Sequence, residues 1–313
     1  MGTTIGAAGS LPATWVGLAA ALIAAHAEAL VITPIATAAE APTALVDALV
    51  KPGSGIAIVP SSITYQGTHS AALRQSALYT AFDLAPSTGL SPTLSIPDGV
   101  LLTSGNAAIP LTNTLDQFNG VSRSGGNAAL STLSGGETAD ANVLSFRFTV
   151  PSGRTSVSAQ FVFGTEEYPL QNVTDVFGFF VDGVNYARFA NGQLISNTPG
   201  NPTNFIANPV GSGLYGVEYN GLTRSLTVTG ILGAAAADGS HTFSVGVADT
   251  SDPIFDSGVF LSLLTLGTAT GGGIGDVTAI PEPGTYALML GGLAAGLALL
   301  RRRRPQTRAR NAN

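Results

Sequence analysis

Residues 144–150 read Leu-Ser-Phe-Arg-Phe-Thr-Val, and the pattern of these seven residues indicates the fold class. Its apolar and polar side chains alternate, which is the period of a β-strand with one face buried and the other in water. After a Pro-Ser-Gly turn the alternation returns over residues 157–163, and it appears again over residues 243–247. We therefore predict strands in all three places.

Two further stretches, residues 176–181 and 259–264, are apolar almost throughout, as expected of strands covered on both faces. Short strands bounded by Gly, Pro, Asn and Ser, with almost no helical period between them, indicate an all-β fold. We predict a two-sheet antiparallel β-sandwich, jelly-roll-like, with one short helix over residues 43–50. Residues 191–213, rich in Asn, Pro and Gly, are predicted to form a long surface loop.

The composition excludes several classes of protein. The chain has 313 residues and no Cys, so disulfides, thiolate metal sites and Cys nucleophiles are excluded. Between residues 28 and 280 there are 18 acidic and 7 basic side chains, whereas six of the 13 basic side chains follow residue 300. Such an acidic body should repel nucleic acid and attract cations, so we expect no nucleic-acid partner.

The N-terminus resembles a secretory signal peptide over residues 1–27. Residues 15–25 are apolar, and Ala25-His26-Ala27 offers a small-residue cleavage site. Because no Lys or Arg precedes this run, the alternatives are an alanine-rich buried helix or a start codon placed too early. We predict a linker over residues 28–41 and a folded body over residues 42–267. A glycine-rich flexible linker follows over residues 268–280.

The C-terminus has the features of a membrane segment. Residues 284–300 are uncharged, and a helix of these 17 residues spans about 26 Å, enough for a thin bilayer. The cluster Arg301, Arg302, Arg303 and Arg304 follows at once and fixes that end on the cytoplasmic side, so the body lies outside. The simplest alternative is an ordinary single-span anchor. Residues 305–313 form a short tail.

Directly before this segment stand Pro281, Glu282 and Pro283. A Pro-Glu-Pro motif, a short apolar helix and terminal arginines together resemble the PEP-CTERM sorting signal of Gram-negative bacteria, here over residues 281–304. The resemblance implies recognition by an exosortase, a membrane protease-transferase that cuts near the motif and removes the helix. The chain would then pass transiently through the inner membrane to the outer cell surface or the extracellular matrix.

Two short stretches of the body concentrate acidic side chains at predicted strand ends. Hard cations such as Ca²⁺ bind six to eight oxygen ligands, usually supplied by loops. The sequence therefore predicts a Ca²⁺ site, and the alternative is that the same residues are solvated turn formers. The six candidate metal ligands are Glu166, Glu167, Asp175, Asp249, Asp252 and Asp256.

Several ordered stretches of the body resemble a second family, the choice-of-anchor L domain, a bacterial surface domain found with interchangeable C-terminal anchors. The resemblance runs from about residue 43 to residue 267. It implies location and architecture, and it implies no chemistry. The stretches that carry it are residues 99–105, Phe-Gly-Thr-Glu-Glu-Tyr at 163–168, Asp175 with the Phe-Gly-Phe-Phe that begins at 177, residues 220–223, Ala248-Asp249 and residues 256–261.

No catalytic motif stands out in the sequence. A G-x-S-x-G elbow, a P-loop and an H-E-x-x-H helix are all missing from the sequence, although a triad using His69 or His241 stays open. The main enzymatic alternative is a secreted polysaccharide hydrolase that uses two carboxylates drawn from Glu166, Glu167, Asp249 and Asp256. We expect instead a non-catalytic surface or matrix protein, braced by Ca²⁺. Its expected role is adhesion, biofilm formation or association with exopolysaccharide or surface proteins.

Overall fold

The computed structural model describes residues 29–89, 91–115, 118, 120–169, 175–196, 204–251 and 253–276. The predicted signal peptide and the sorting signal, with its helix over residues 284–300, lie outside these residues. In the described part of the chain, no helix is long and apolar enough to cross a membrane.

The described chain consists mainly of short strands. In chain order they are β1 (Val31–Pro34), α1 (Ala41–Leu49), β2 (Ala57–Ile58), β3 (Thr64–Gln66), β4 (Ser76–Thr80), β5 (Asp83–Leu84), β6 (Leu94–Ser95), β7 (Gly99–Thr103), α2 (Ala128–Ser134), β8 (Thr138–Thr149), β9 (Ser156–Thr165), β10 (Val176–Val181), β11 (Val184–Asn185), β12 (Ile195–Ser196), β13 (Phe205–Ala207), β14 (Gly221–Thr223), β15 (Leu226–Ile231), β16 (His241–Thr250), β17 (Ser257–Ser262), β18 (Thr265–Gly267) and β19 (Gly273–Asp276).

Most of these strands form two sheets. The first sheet runs β1-β4-β7-β17-β9-β14-β13, with β15 and β18 also paired to β9 and β19 paired to β15. The second runs β11-β10-β16-β8-β2, with β12 on β10 and β3 on β8; β5 and β6 pair separately. All pairings between these strands are antiparallel. The predicted all-β antiparallel sandwich is confirmed.

The main core lies between the two sheets. Aromatic side chains from both fill it: the rings of Phe161 and Phe177 lie 5.2 Å apart, and those of Phe146 and Phe243 lie 5.0 Å apart. Full burial of each such side chain contributes about 1.5–3 kcal/mol. The alternation in residues 144–150 therefore places its Leu and Phe side chains in this core, as predicted.

A second core covers the outer face of the first sheet. Val162 of β9 and Phe260 of β17 pack there against Tyr79, Phe82 and Tyr219. The ring of Phe260 lies 4.6 Å from that of Phe82. The first sheet is thus buried on both faces where β9 and β17 pair, which explains why the sequence of β17 is apolar at successive positions.

The helix predicted over residues 43–50 is present as α1, and its buried side chains include Leu45, Val46 and Leu49. It begins two residues earlier than predicted because a Pro in the first turn fits a helix start. The helix α2 was not predicted. Its Asn127 cap accepts hydrogen bonds from two backbone amides, and Leu130 packs on the outer face of the second sheet.

Two predicted loops contain ordered strands. Within residues 191–213, predicted as a surface loop, β12 and β13 join the sheets, and Asn208 is fully buried with its Nδ2 donating to the carbonyl of Val217 at 3.0 Å. Within the predicted linker 268–280, β19 pairs with β15. In both places the chain forms strands because it pairs with neighbouring strands. The side-chain pattern of the segments themselves did not predict this pairing.

Candidate functional site

One end of the sandwich collects buried carboxyl groups. Electrostatic interactions connect Asp249 to Asp175, Asp256 and Asp140, and Glu166 to Glu218 and Asp256. Each of the six side chains is at most 2% exposed. We call this group the acidic cluster; its members are Asp140, Glu166, Asp175, Glu218, Asp249 and Asp256. Glu167, next in the chain, is also buried.

The antiparallel pairing of the strands brings these residues together. The strand β9 ends at Thr165, and β17 begins opposite it, so Glu166 and Asp256 adjoin. Likewise β10 begins opposite Ala248 of β16, so Asp175 lies beside Asp249. In antiparallel pairs the end of one strand meets the start of its neighbour, which places side chains distant in sequence at one edge.

Asp140 enters the cluster through a β-bulge. The register of β8 against β16 slips between Val247 and Asp249, which leaves an extra residue in β8, and Asp140 has a φ of 48°. Its carboxylate accepts hydrogen bonds from the backbone amides of Ser122 and Arg123 at 2.8 and 2.7 Å. Asp140 therefore already holds a loop in place.

Asp249 and Asp256 are the exceptional members. Both side chains are fully buried, and neither oxygen of either carboxylate accepts a hydrogen bond of ordinary geometry from a described residue. Burial raises the pKa of Asp256 to about 7, against the opposing effect of the nearby amides of Gly120 and Asn106. Burial, together with the charges of Asp175 and Asp256, raises the pKa of Asp249 well above its usual range, against the opposing effect of the nearby Ser104 hydroxyl.

Only one of the two carboxylate oxygens of Glu166 accepts an ordinary hydrogen bond from a described residue. Its Oε2 accepts a hydrogen bond from Asn220 Nδ2 at 3.1 Å, whereas Oε1 is buried without a donor of ordinary geometry among the described residues. Burial raises the pKa of Glu166 to about 8 against the opposing effect of the nearby amide of Phe118, and the charges of Glu218 and Asp256 act in the same direction as burial. Glu218 is better satisfied, since Oε1 accepts the amide of Leu115 at 2.9 Å.

A buried tyrosine hydroxyl faces the same group. Tyr219 is fully buried, its Oη lacks a well-formed hydrogen bond to a described residue, and the charges of Asp256, Glu166 and Asp249 act on it. Burial is the main cause that raises its pKa. A Cβ at Gly258 would lie 2.2 Å from this hydroxyl, so the neighbouring strand approaches only because glycine stands there.

Asp256 needs a glycine neighbour for the same reason. A Cβ at Gly105 would lie 1.6 Å from Asp256 Oδ2, so the carboxylate rests directly against the backbone of that residue. Asp175 accepts a hydrogen bond from Ser257 Oγ at 2.6 Å. The acidic cluster is therefore closely packed at the start of β17.

The acidic cluster concentrates carboxyl groups that no basic side chain neutralises among the described ion pairs. Among the described residues, ion pairs join Arg147 to Asp238 and His241 to Asp182, and Glu166, Asp249 and Asp256 take part in neither. Buried carboxyl groups in this state either hold protons or are neutralised by a cation. In the described part of the chain, however, no three His, Asp or Glu side chains are close enough to hold a metal ion directly.

Five of the six predicted ligands, Glu166, Glu167, Asp175, Asp249 and Asp256, lie buried at this end, and Asp252 lies outside the described residues. Sequence reasoning missed Asp140, Glu218 and Tyr219. Asp140 had no clear signal, because the β-bulge interrupts the alternation that Leu144 and Phe146 follow. Glu218 and Tyr219 had none, because a loop across the outer face of the first sheet places them.

Comparisons with known proteins agree with both resemblances. The PEP-CTERM protein-sorting motif matches residues 279–304. It implies recognition by an exosortase, export through the membrane and surface sorting in a Gram-negative bacterium. Comparison with curated proteins and with solved structures finds no significant match. The choice-of-anchor L domain matches residues 35–265. Because this match covers more than half of the sequence, the chain belongs to the choice-of-anchor L domain family.

Proposed function

We propose that this exported chain is a non-catalytic surface protein whose acidic cluster binds a divalent cation, Ca²⁺ in the first place. Its sandwich would act in adhesion, biofilm formation or exopolysaccharide association at the cell surface or in the extracellular matrix. The observation that carries the cation is the pair Asp249 and Asp256. Four carboxylate oxygens are buried there without ordinary hydrogen bonds from described residues.

The electrostatics of the pair favour a cation. An unpaired buried carboxylate costs several kcal/mol in its charged form, so the apo cluster retains protons near neutral pH. A cation that replaces these protons removes the repulsion between Asp249 and Asp256 and supplies the missing partner for their oxygens. Glu166 Oε1 and the Tyr219 hydroxyl face the same charges and support the same ion.

Binding requires some movement. The carboxyl groups as described do not form a ready coordination sphere. Glu166 follows a strand and Asp256 precedes one, so both side chains lie at loop ends that can adjust. Ca²⁺ tolerates irregular geometry and completes its shell with water, whereas Mg²⁺ demands a near-octahedral site. This favours Ca²⁺ over Mg²⁺.

The surface role rests on sorting and on charge. The sorting motif directs the body outward, and the body carries 18 acidic and 7 basic side chains between residues 28 and 280. Bridging cations offset the repulsion between an acidic protein and an acidic polysaccharide, so a Ca²⁺-dependent association is the form we expect.

The hydrolase alternative has less support. Three cavities of about 340, 370 and 310 Å³ are lined by other residues, and Glu166, Glu167, Asp249 and Asp256 line none of them. A glycosidase needs two carboxyl groups about 5–9.5 Å apart across an open cleft. The buried position of these acids favours an ion over a sugar.

The deciding experiment is a melting curve of the full-length protein in detergent, with Ca²⁺ and with EDTA. An ion at about 100 times its Kd adds about 2.7 kcal/mol, which raises Tm by about 5–10 °C. The Asp249→Asn/Asp256→Asn variant should lose this difference, and Asp47→Asn, an exposed acid in α1, should keep it. Equal Tm values for the unmodified protein in both solutions would remove the cation from the proposal.

A further inference from the structure

One of the three cavities, of about 310 Å³, opens on the outer face of the second sheet beside the helix α2. We call it the α2 cavity. It is formed by α2, by β10 with the turn that follows it, and by β16. The residues that line it are Ala129, Thr132, Phe180, Gly183, Thr242 and Ser244. All six are uncharged, although the body that carries them is acidic.

Small residues create this space between the helix and the sheet. A Cβ at Gly178 would lie 3.0 Å from Leu130 Cδ2, so α2 packs closely on the sheet at that glycine. Ala129 and Thr132 are three residues apart on α2 and share one face of the helix. Because both side chains are short, the helix leaves a cavity beside them where longer side chains would fill it.

Phe180 provides an aromatic surface in the α2 cavity. A Cβ at Gly178 would lie 2.3 Å from Phe180 Cε2, so the ring lies along its own strand over that glycine. The ring is only partly buried, and it lines the cavity. Ser244 is the direct partner of Phe180 across β10 and β16, so a hydroxyl group stands beside the ring.

Three hydroxyl groups complete the lining. Ser244 Oγ accepts a hydrogen bond from Ser145 Oγ at 2.7 Å, so its own proton is free to be donated to a ligand. Thr132 Oγ1 donates to the carbonyl of Ala128 at 2.8 Å, so its lone pairs are free to accept. Thr242 is exposed. The α2 cavity therefore offers both a donor and an acceptor beside an aromatic ring.

This lining selects the class of ligand. Asp182, the acid that precedes Gly183, is engaged with His241 Nδ1 and with two backbone amides. An ionic ligand would therefore lose water without gaining a counter-charge, whereas a purely apolar ligand would leave the hydroxyl groups of the lining without partners. A neutral sugar meets both conditions, because its C–H face is apolar and its rim carries hydroxyl groups.

The hydroxyl groups continue across the sheet from the cavity. Ser145 of β8 pairs with Ser244 on one side and with Thr64 of β3 on the other, so the three side chains form a row on one face. Neighbouring strands lie about 4.8 Å apart, which is close to the length of one sugar unit in an extended glycan. A chain of sugars that enters the cavity can therefore follow this row.

We propose that the α2 cavity binds one unit of a neutral polysaccharide, with the C–H face of the sugar on the Phe180 ring. The hydroxyl groups of the sugar bond to Thr132, Thr242 and Ser244, and the next units run along Ser145 and Thr64. This inference extends the proposed association with exopolysaccharide to a second site, which lies outside the acidic cluster and needs no cation.

Affinity electrophoresis of the full-length protein tests this site. The protein is kept in a detergent without a sugar headgroup and runs through gels that contain dextran, mannan, galactan or xylan, with alginate as the acidic comparison. At least one neutral polysaccharide should retard it, equally in Ca²⁺ and in EDTA. Phe180→Leu keeps the apolar volume but loses the ring, and it should weaken binding about tenfold. Thr242→Val should weaken it about threefold to tenfold.

Two variants of α2 form a matched pair. Ala129→Arg fills the cavity and should abolish retardation, whereas Ala128→Arg changes an equally exposed position outside the lining and should bind like the unmodified protein. Both positions are exposed, as is Thr242, so these variants test the site even where Phe180→Leu loosens the fold.

The proposal is overturned if no neutral polysaccharide retards the unmodified protein, or if only alginate does. Equal binding by Ala129→Arg and Ala128→Arg also overturns it. Retardation that disappears in EDTA would assign the contact to the cation at the acidic cluster instead. Conversely, Asp249→Asn/Asp256→Asn should keep its retardation by the neutral polysaccharide, so a failure of the cation proposal would leave this result unchanged.

Discussion

The backbone amide of Glu166 donates to the carbonyl oxygen of Asp256 at 3.1 Å. This bond joins the end of β9 to the start of β17 and fixes two acidic residues side by side. Their carboxyl groups have raised pKa values of about 8 and about 7. A backbone contact therefore holds together two charges that repel each other, and the stability of this end depends on what neutralises them.

The stability of the cation-free protein should fall as pH rises from about 5 to 8. Glu166 and Asp256 hold protons in the folded state at pH values where the unfolded chain has released them, because their folded pKa values lie above the unfolded ones. Their contribution is complete below the unfolded pKa and is lost as pH rises through about 7 and 8. Melting curves in EDTA at pH 5, 6.5 and 8 measure it. A Tm that is flat or rises over this range would contradict the raised pKa values.

Removal of the buried charges should stabilise the protein in EDTA and abolish its response to Ca²⁺. In EDTA at pH 8, Asp249→Asn/Asp256→Asn should have a higher Tm than the unmodified protein. Its free energy of unfolding should be larger by about 1–3 kcal/mol, because two uncompensated carboxylates are gone. The Tm of the same variant should be no higher in Ca²⁺ than in EDTA. Calorimetric titration with Ca²⁺ provides the independent measurement, and a variant that still binds the ion at the original affinity would place the site elsewhere.

Gly105 should tolerate no side chain. A Cβ there would lie 1.6 Å from Asp256 Oδ2, so Gly105→Ala must displace the carboxylate or the strand end and should cost about 1–3 kcal/mol. We expect the Ca²⁺ response of Tm to shrink as well, because Asp256 moves. Gly271→Ala is the matched control, since its Cβ would meet nothing within 4 Å. Equal Tm values for the two variants would show that Asp256 can move without cost.

Asp182 should be a structural anchor outside the acidic cluster. Its carboxylate accepts the amides of Gly233 and Thr242 and lies 2.8 Å from His241 Nδ1. Burial opposes ionisation, but the amide of Thr242, His241 and the amide of Gly233 outweigh it and lower the pKa of Asp182.

Asp182→Ala should therefore destabilise the protein by about 1–3 kcal/mol near pH 7. The difference from the unmodified protein should disappear as pH falls through the lowered folded pKa. Asp238→Ala removes an exposed ion-pair partner of Arg147 and a local acceptor for Ser240, and it should destabilise the protein clearly less than Asp182→Ala does. Urea unfolding of both variants gives the comparison, and similar losses for the two would contradict the assigned role.

The alternation of apolar and polar residues was sufficient to predict the sandwich, but it did not predict the outer core or every strand. Strands such as β8 were predictable because their alternation reports one buried face. The outer core around Phe260 was not, because it depends on loops that fold back over the sheet. The glycine-rich β19 carries almost no side-chain pattern, and only its pairing with β15 makes it a strand. The burial of His241 against Asp182 was equally hidden, because it depends on the strand pairing around residue 182.

The acidic cluster was likewise only partly predictable from the sequence. The positions of the acids at strand ends could be read from the sequence, since turns favour Asp and the flanking strands were clear. Their burial could not be read, because it requires knowing that β17 lies between β7 and β9. The contribution of Tyr219 was equally hidden, because it depends on the close approach that Gly258 permits.

That placement of β17 also sets the timing of folding. The strand lies in the middle of the first sheet but comes late in the chain, at Ser257–Ser262. When the chain crosses the membrane with its N-terminus first, β7 and β9 lack the strand that lies between them until β17 has crossed. Fewer than twenty residues then separate the end of β17 from Pro281. The body can therefore close only when the sorting motif is about to reach the membrane, so completion of the fold and the start of sorting become nearly simultaneous events.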